Sequence, residues 1–247
     1  MKIGFIGCGN MATAMIRGIL DSKKVTAGEM IASAKSDATR EKISRELGIC
    51  VAGTNSEVVD FADVIFLAVK PQYYEEVIAE IREEIRQDQI IVTIAPGKTL
   101  HWLAERLGED KKIIRTMPNT PAMVKEGMMG MCRNDLVTEE EMQQVKEICE
   151  NFGKAEVVPE SLIDVVVGVS GSSPAYVFMF IEAMADAAVA DGMPRAQAYK
   201  FAAQAVLGSA KMVLETGMHP GALKDMVCSP GGTTIEAVRV LEEKGMR

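Results

Sequence analysis

Histidine is nearly missing from this chain: 247 residues carry two, His101 and His219, and neither stands in a pattern that suggests a nucleophile pair or a metal cluster. No metal is expected. Cysteine is scarce as well, since Cys8, Cys50, Cys132, Cys149 and Cys228 are odd in number and include no C-x-x-C pair. That pattern argues against a disulfide framework and a zinc site, and for the reducing cytoplasm. Positive charge is in deficit, with 27 Lys and Arg against 35 Asp and Glu and a net charge of −8, so no basic face is expected for nucleic acid or an anionic membrane. No charged leader follows Met1, and a signal peptide is not expected. The most apolar stretch, residues 175–190, is cut by Glu182 and Asp186 and is too short for a membrane span; it predicts a buried helix. What is abundant is hydrophobic content, 48%, ample for the core of one large domain or two smaller ones.

The first half alternates two kinds of segment. Residues 2–6, 30–33, 64–69, 90–94 and 113–117 are short apolar runs, mostly β-branched, which fit buried strands of a parallel sheet. Between them, residues 11–20, 38–47, 73–85 and 100–107 are longer and periodic or charged. The alternation predicts βαβ units with right-handed crossovers. Residues 127–132 and 155–158 add strands, and 138–151 a helix with Thr138 as cap and Glu141 at the capping-box position. The expected fold class is α/β: an N-terminal Rossmann-type doubly wound sheet of about eight strands over residues 1–160, then an all-α domain over 161–247. Residues 174–191 and 194–215 each open with proline at a first helical position, and Ser173 is a candidate N-cap. The first of these helices is apolar nearly all round and needs burial on every side, which predicts a homodimer through the helical domain. Within it Glu182 and Asp186 share a face and are expected to be solvated or to find a partner.

Chemistry begins at Gly7-Cys8-Gly9-Asn10-Met11-Ala12, a G-x-G-x-x-A turn between the first strand and a helix. Gly7 permits the turn, Gly9 lets backbone approach a pyrophosphate, and Ala12 lets helix pack on strand. Nicotinamide enzymes that use NAD place an acid at the end of the second strand. Here stands Ala32-Ser33-Ala34-Lys35-Ser36, with Arg40 a turn further on. Hydroxyls and a cation suit a 2′-phosphate and favour NADP, against the alternative that Lys35 is solvated surface. Asn55 is either a helix cap or a cofactor contact, and Lys70 in Ala68-Val69-Lys70-Pro71 either a contact or an exposed strand-end lysine. Ala95-Pro96-Gly97 turns on the same rim. Arg115-Thr116-Met117-Pro118-Asn119-Thr120-Pro121-Ala122 holds two prolines just past a strand, fitting a rigid active-site loop or an interdomain turn. Residues 169–176 bring small side chains to a helix start, and His219 before Pro220 is a helix-start residue. Near the end, Ser229-Pro230-Gly231-Gly232-Thr233-Thr234-Ile235 leaves N–H groups uncovered before a helix, a cradle for a small anion.

Taken together, G-x-G-N-M-A, Ala-Val-Lys-Pro, Arg-x-Met-Pro-Asn-Thr-Pro, Ser-Gly-Ser-x-Pro-Ala-Tyr and His-Pro-Gly-x-Leu-Lys-Asp leading into Ser-Pro-Gly-Gly-Thr-Thr-Ile resemble, in order and spacing, the pyrroline-5-carboxylate reductase family. The resemblance covers essentially the whole chain. It implies NAD(P)H-dependent reduction of the cyclic imine 1-pyrroline-5-carboxylate to L-proline, the last step of proline synthesis, and an interlocked helical dimer with larger rings in some members. It assigns NADP contacts to Ile6, Gly7, Cys8, Gly9, Asn10, Met11, Ala12, Ser33, Lys35, Asn55, Ala68, Val69, Lys70, Pro71, Ala95 and Pro96, and an active-site loop to Met117, Pro118, Asn119 and Thr120. The substrate carboxylate falls to Ser229, Gly231, Gly232 and Thr233, and the catalytic hydroxyl to Thr234. A protonated imine is already electrophilic, which accounts for the missing histidine. Ser173 stands where relatives have glycine and Pro96 where a small residue is common, both departures that narrow the nicotinamide pocket. Relatives also continue beyond the position of Arg247 into a further helix. A 3-hydroxyacid-type dehydrogenase would need a lysine on the helix at 174–191, which has none. A non-catalytic NADP-binding regulator would have no need of the C-terminal Gly-Gly-Thr-Thr.

Overall fold

The protein is described by a computed structural model covering residues Met1–Arg247, which divides into two compact units, Met1–Ala175 and Tyr176–Arg247. In the first unit the chain runs β1 (Ile3–Ile6), α1 (Asn10–Asp21), β2 (Met30–Ser33), α2 (Asp37–Leu47), β3 (Cys50–Ala52), α3 (Asn55–Phe61), β4 (Val64–Leu67), α4 (Tyr74–Ile81), β5 (Ile90–Thr93), α5 (Leu100–Leu107) and β6 (Lys112–Met117). It continues through β7 (Gly127–Arg133), α6 (Glu139–Cys149), β8 (Gly153–Val157) and the short α7 (Ile163–Val166). One eight-stranded sheet results, in the order β3-β2-β1-β4-β5-β6-β7-β8. It is parallel except that β7 runs antiparallel to β6.

Alternation along the central strands feeds two cores. Ile3 and Phe5 pack with Met15, Ile16 and Phe152 on one face, while Ile6 joins Val58, Tyr74, Ile78 and Leu103 on the other. Phe5 stacks on Phe66 of the neighbouring strand with centroids 4.8 Å apart. Helices begin where short polar side chains meet free N–H groups: the Thr138 and Glu141 box caps α6 as expected, and Ser36 and Thr99 cap α2 and α5. The strand β3 was not expected. It is a three-residue edge with one buried side chain, too short and too wet to leave an apolar run.

The second unit is helical: α8 (Ser173–Ala190) crosses into it, followed by α9 (Arg195–Thr216), α10 (Pro220–Val227) and α11 (Thr233–Glu243). The expectation for the start of α8 needs correcting. Ser173 does not cap an isolated helix, and residues 169–176 are not an approach to a free helix start. A π-helical turn at Val167–Gly171 carries the chain into α8, with Ser172 N–H donating to Val167 O at 2.8 Å. The division between the two compact units falls between Ala175 and Tyr176. Arg115, buried in β6, donates to Glu160 (3.0 Å) and Asp164 (3.2 Å), and Asn119 donates to Ser170 O (3.0 Å), so residues up to 175 are bound to the sheet.

The resulting helical run Glu160–Ala190 is, by length and composition alone, long and apolar enough to cross a membrane, further than residues 175–190 suggested. Its start is tied to a sheet by ion pairs, and Asp186 pairs with Arg195 at the start of α9, neither of which suits a lipid environment. Nor is α8 buried within one chain, since Phe178 and Met179 are 62% and 68% exposed.

Candidate functional site

The strand order reverses between β1 and its neighbours β2 and β4, which opens a crevice at their carboxyl ends, the usual ligand position in such a sheet. Gly7 enters that crevice with φ of +89°, and a Cβ there would lie 3.0 Å from the carbonyl of Ala68. Only glycine fits. Its N–H donates to Ser33 O at 3.1 Å, and Ala68 N–H donates to Ile6 O at 2.8 Å, so the ends of β1, β2 and β4 are stitched into one rim. Cys8 and Ala12 are buried while Gly9 and Asn10 are exposed. A Cβ at Gly9 would meet nothing within 4 Å, and Gly9 offers α1 no side-chain cap. The first-turn N–H groups, Met11 among them, therefore face open space, and the residues fit a pyrophosphate.

The rest of the rim is less uniform than expected. Lys35 is exposed, has no carboxylate within ion-pair distance, and lies 5.4 Å over the ring of Tyr73. That leaves a free cation after β2. Arg40 is different: it donates to Ala34 O (3.1 Å) and Gly53 O (3.4 Å) and pairs with Asp37, so it braces the loops instead of offering charge to a phosphate. Asn55 is not the cap of α3; Thr54 is, accepting from Glu57 N at 3.3 Å. Asn55 instead accepts from the Ser33 hydroxyl (2.7 Å) and donates to Glu80 (2.7 Å). Val69, Lys70 and Pro71 leave β4 through a short 3-10 turn, with Lys70 exposed and unpaired.

Beneath this rim lies a buried polar chain that sequence reasoning missed. Tyr74, fully buried, donates to Leu67 O at 2.6 Å and shares a 2.8 Å hydrogen bond with Thr93 Oγ1. Thr116 donates to Thr93 O at 2.8 Å, and Ala95 N–H reaches Thr93 Oγ1 at 3.3 Å. The ends of β4, β5 and β6 are thereby locked together just below Ala68, Ala95 and Met117. Burial pushes the Tyr74 phenol up to about 12, so it stays protonated. Pro96 is exposed on the turn above.

In the loop after β6, Asn119 is buried and works as a clasp, its side chain also accepting from Met128 N–H at 2.8 Å. Pro118 is buried beside it, whereas Thr120 is exposed. The cluster thus divides between support and surface.

The second candidate cradle lies in the helical unit. Gly231 has φ of +70°, and a Cβ on Gly232 would fall 2.4 Å from Ser229 Oγ. Gly232 N–H donates to Ser229 O at 3.0 Å, closing the turn, and Gly232 then caps α11 with no side chain. Thr233 and Thr234 open the helix with free N–H groups, Thr233 exposed and Thr234 half-buried. His219 caps α10, its Nδ1 accepting from Gly221 N–H at 3.0 Å, as expected of a helix-start residue. A cleft of about 280 Å³ lined by Arg82, Glu105, Arg106 and Asp110 lies by the carboxyl ends of α4 and α5, on the opposite rim of the sheet, with its charges already paired.

Comparison with known proteins matches both units. The family model described as pyrroline-5-carboxylate reductase dimerisation matches residues 160–247, and one described as NADP oxidoreductase coenzyme F420-dependent matches residues 2–97. The pyrroline-5-carboxylate reductase of Escherichia coli (strain K12) is 60% identical over 246 residues, covering 100% of this chain and 91% of that protein. The solved structure of a pyrroline-5-carboxylate reductase from Coxiella burnetii is similar with a TM-score of 0.93 at 32% identity, covering 100% of this chain and 92% of that one. That of Plasmodium falciparum pyrroline carboxylate reductase with NADP bound gives a TM-score of 0.88 at 29% identity, over 100% and 91% of the two chains.

Proposed function

The chain belongs to the pyrroline-5-carboxylate reductase family, and on that premise we propose where each participant in its reaction is held. It is an NAD(P)H-dependent oxidoreductase that reduces 1-pyrroline-5-carboxylate to L-proline, the last step of proline biosynthesis, and it carries the family's dimerisation domain. Residues 1–160 serve as the NADP domain and 161–247 as the substrate and dimerisation domain of a cytoplasmic homodimer. NADPH is the preferred reductant, because an unpaired Lys35 follows β2 where NAD enzymes carry an acid. Ile6 to Ala12 hold the pyrophosphate, with Ser33, Lys35 and Asn55 at the adenosine ribose. Residues 68–71, Ala95, Pro96 and the loop from Met117 to Thr120 frame the remainder.

Bound NAD(P)H supplies the hydride. The chain supplies position and charge. Ser229 and the N–H groups of Gly231, Gly232 and Thr233 hold the substrate carboxylate at the start of α11, where the helix dipole favours an anion. Thr234 presents its hydroxyl to the ring nitrogen and steadies the proton there as the imine carbon becomes saturated. No histidine is needed, since the protonated imine is itself the electrophile.

The turn from Ser229 to Thr234 carries this reading: left-handed Gly231, a Gly232 whose bare Cα leaves the Ser229 hydroxyl packed against the turn, and a Thr234 hydroxyl that bonds to nothing in its own chain. The test is NADPH oxidation with pyrroline-5-carboxylate, alongside NADH. Wild type turns over with a lower KM for NADPH. Thr234→Ala lowers kcat by about a hundredfold, the scale of a lost proton-side group, with unchanged melting and NADPH affinity. Full activity in that variant removes Thr234 from the mechanism, and an inactive wild type removes the site assignment.

A further inference from the structure

One hydrogen-bonded chain on the cofactor rim remains unexplained by the reaction. Ser33, only 4% exposed at the end of β2, donates its single hydroxyl proton to Asn55 Oδ1 at 2.7 Å. The Asn55 amide faces Ser33 with its oxygen because its Nδ2 is engaged, donating to the Glu80 carboxylate at 2.7 Å. Glu80 lies on α4 and is otherwise free of cations within ion-pair distance. A carboxylate has no proton to give and accepts only. It therefore fixes the amide in one of its two orientations.

The consequence falls on Ser33. With its proton committed to Asn55, the hydroxyl oxygen offers only lone pairs to anything else. A ribose 2′-hydroxyl can donate to those lone pairs. A 2′-phosphate cannot, because it too presents acceptors. To receive the phosphate, Ser33 must turn its proton outward, and Asn55 must flip so that Nδ2 donates to Ser33 Oγ. That flip would press Asn55 Oδ1 against the Glu80 carboxylate, two acceptors facing each other.

We propose that Glu80 is a positioning residue for cofactor choice: through Asn55 it holds the Ser33 proton inward and limits the advantage of NADPH over NADH that Lys35 provides. This rests on the adenosine ribose lying at the end of β2, as assigned above. It accounts for a rim in which a free cation that suits a phosphate sits beside a hydroxyl turned to suit a ribose.

Equilibrium binding of adenosine 2′,5′-bisphosphate and adenosine 5′-monophosphate to the full chain isolates the phosphate from turnover. Glu80→Gln frees the flip, since a carboxamide can donate to Asn55 Oδ1, and the preference for the bisphosphate rises about fivefold, the worth of roughly one net hydrogen bond. In Asn55→Ala and Ser33→Ala backgrounds the same substitution leaves the preference unchanged. An unchanged preference in Glu80→Gln alone overturns the proposal. So does an equal rise in the two backgrounds, which would mean that Glu80 acts by bare charge. If a normally melting wild type binds neither nucleotide, the ribose placement itself falls, and that result is distinct from binding with an indifferent Glu80.

Discussion

At the start of α1 the glycine turn is wedged into a sheet, with Gly7 against the Ala68 carbonyl and Cys8 and Ala12 buried on either side of the exposed Gly9. At the start of α11 an equally bare turn stands on a helix with no buried residue, and a Cβ on Gly231 would meet nothing within 4 Å. Both offer uncapped N–H groups to an anion. The first is held by strands on both sides, the second only by its own local hydrogen bond between Gly232 and Ser229. The difference separates a site that one chain's core makes rigid from a site whose support comes from whatever covers the helical unit.

The contrast breaks most visibly at its glycines. Gly7→Ala must place a Cβ against backbone while holding a left-handed φ, and it should cost roughly 2 kcal/mol or more in urea unfolding and abolish NADPH binding. Gly231→Ala faces open space and bears only the left-handed penalty of about 1–2 kcal/mol, so it should raise the KM for pyrroline-5-carboxylate and leave NADPH affinity intact. Equal destabilisation by the two would erase the distinction between core-supported and surface turns.

A smaller effect, confined to one unit, is expected on α8. Tyr176, Phe178 and Met179 are 59%, 62% and 68% exposed in a single chain, large apolar side chains set around the helix whose exposure is of the kind that marks an interface. Phe178→Glu should shift sedimentation at micromolar concentration from dimer toward monomer and reduce turnover, while NADPH still binds to the first unit with unchanged affinity. If NADPH binding fell in step with turnover, the two units could not be treated as separately supported.

How much of this was legible in the sequence follows the same division. The Gly7 to Ala12 turn, the parallel strands and the Thr138 box were readable because each is a local pattern with its own period or cap. The Ser33, Asn55 and Glu80 chain was not, since its members lie 22 and 25 residues apart and meet only because β2, α3 and α4 converge. For the same reason Arg40 looked like a phosphate ligand, although Asp37 and two backbone carbonyls already engage it. Asn119 lay in a loop singled out for its two prolines, but its two hydrogen bonds, to Ser170 and Met128, make it a clasp for the chain leaving the sheet. The polar chain around Tyr74 gave no signal at all, because a tyrosine at an apolar helical position looks like any other core residue.

The gentlest probe of the contrast is cysteine chemistry. Cys8 and Cys149 are buried and their thiols are pushed above the ordinary range chiefly by burial, and Cys132 is pushed up to about 12 by burial and the nearby Glu160. A raised pKa leaves less thiolate at any working pH, so these three should react slowly in the native protein at pH 8. Cys50, exposed on the edge strand β3, and Cys228, half-buried just before Ser229, should react within the first phase. The two differ in what slows them. If Ser229 to Thr234 hold the substrate carboxylate, saturating proline should slow alkylation of Cys228 by severalfold and leave Cys50 untouched, whereas NADP should spare neither. Protection of both by proline would mean that the product tightens the whole molecule, and protection of neither would mean that the surface turn holds no carboxylate.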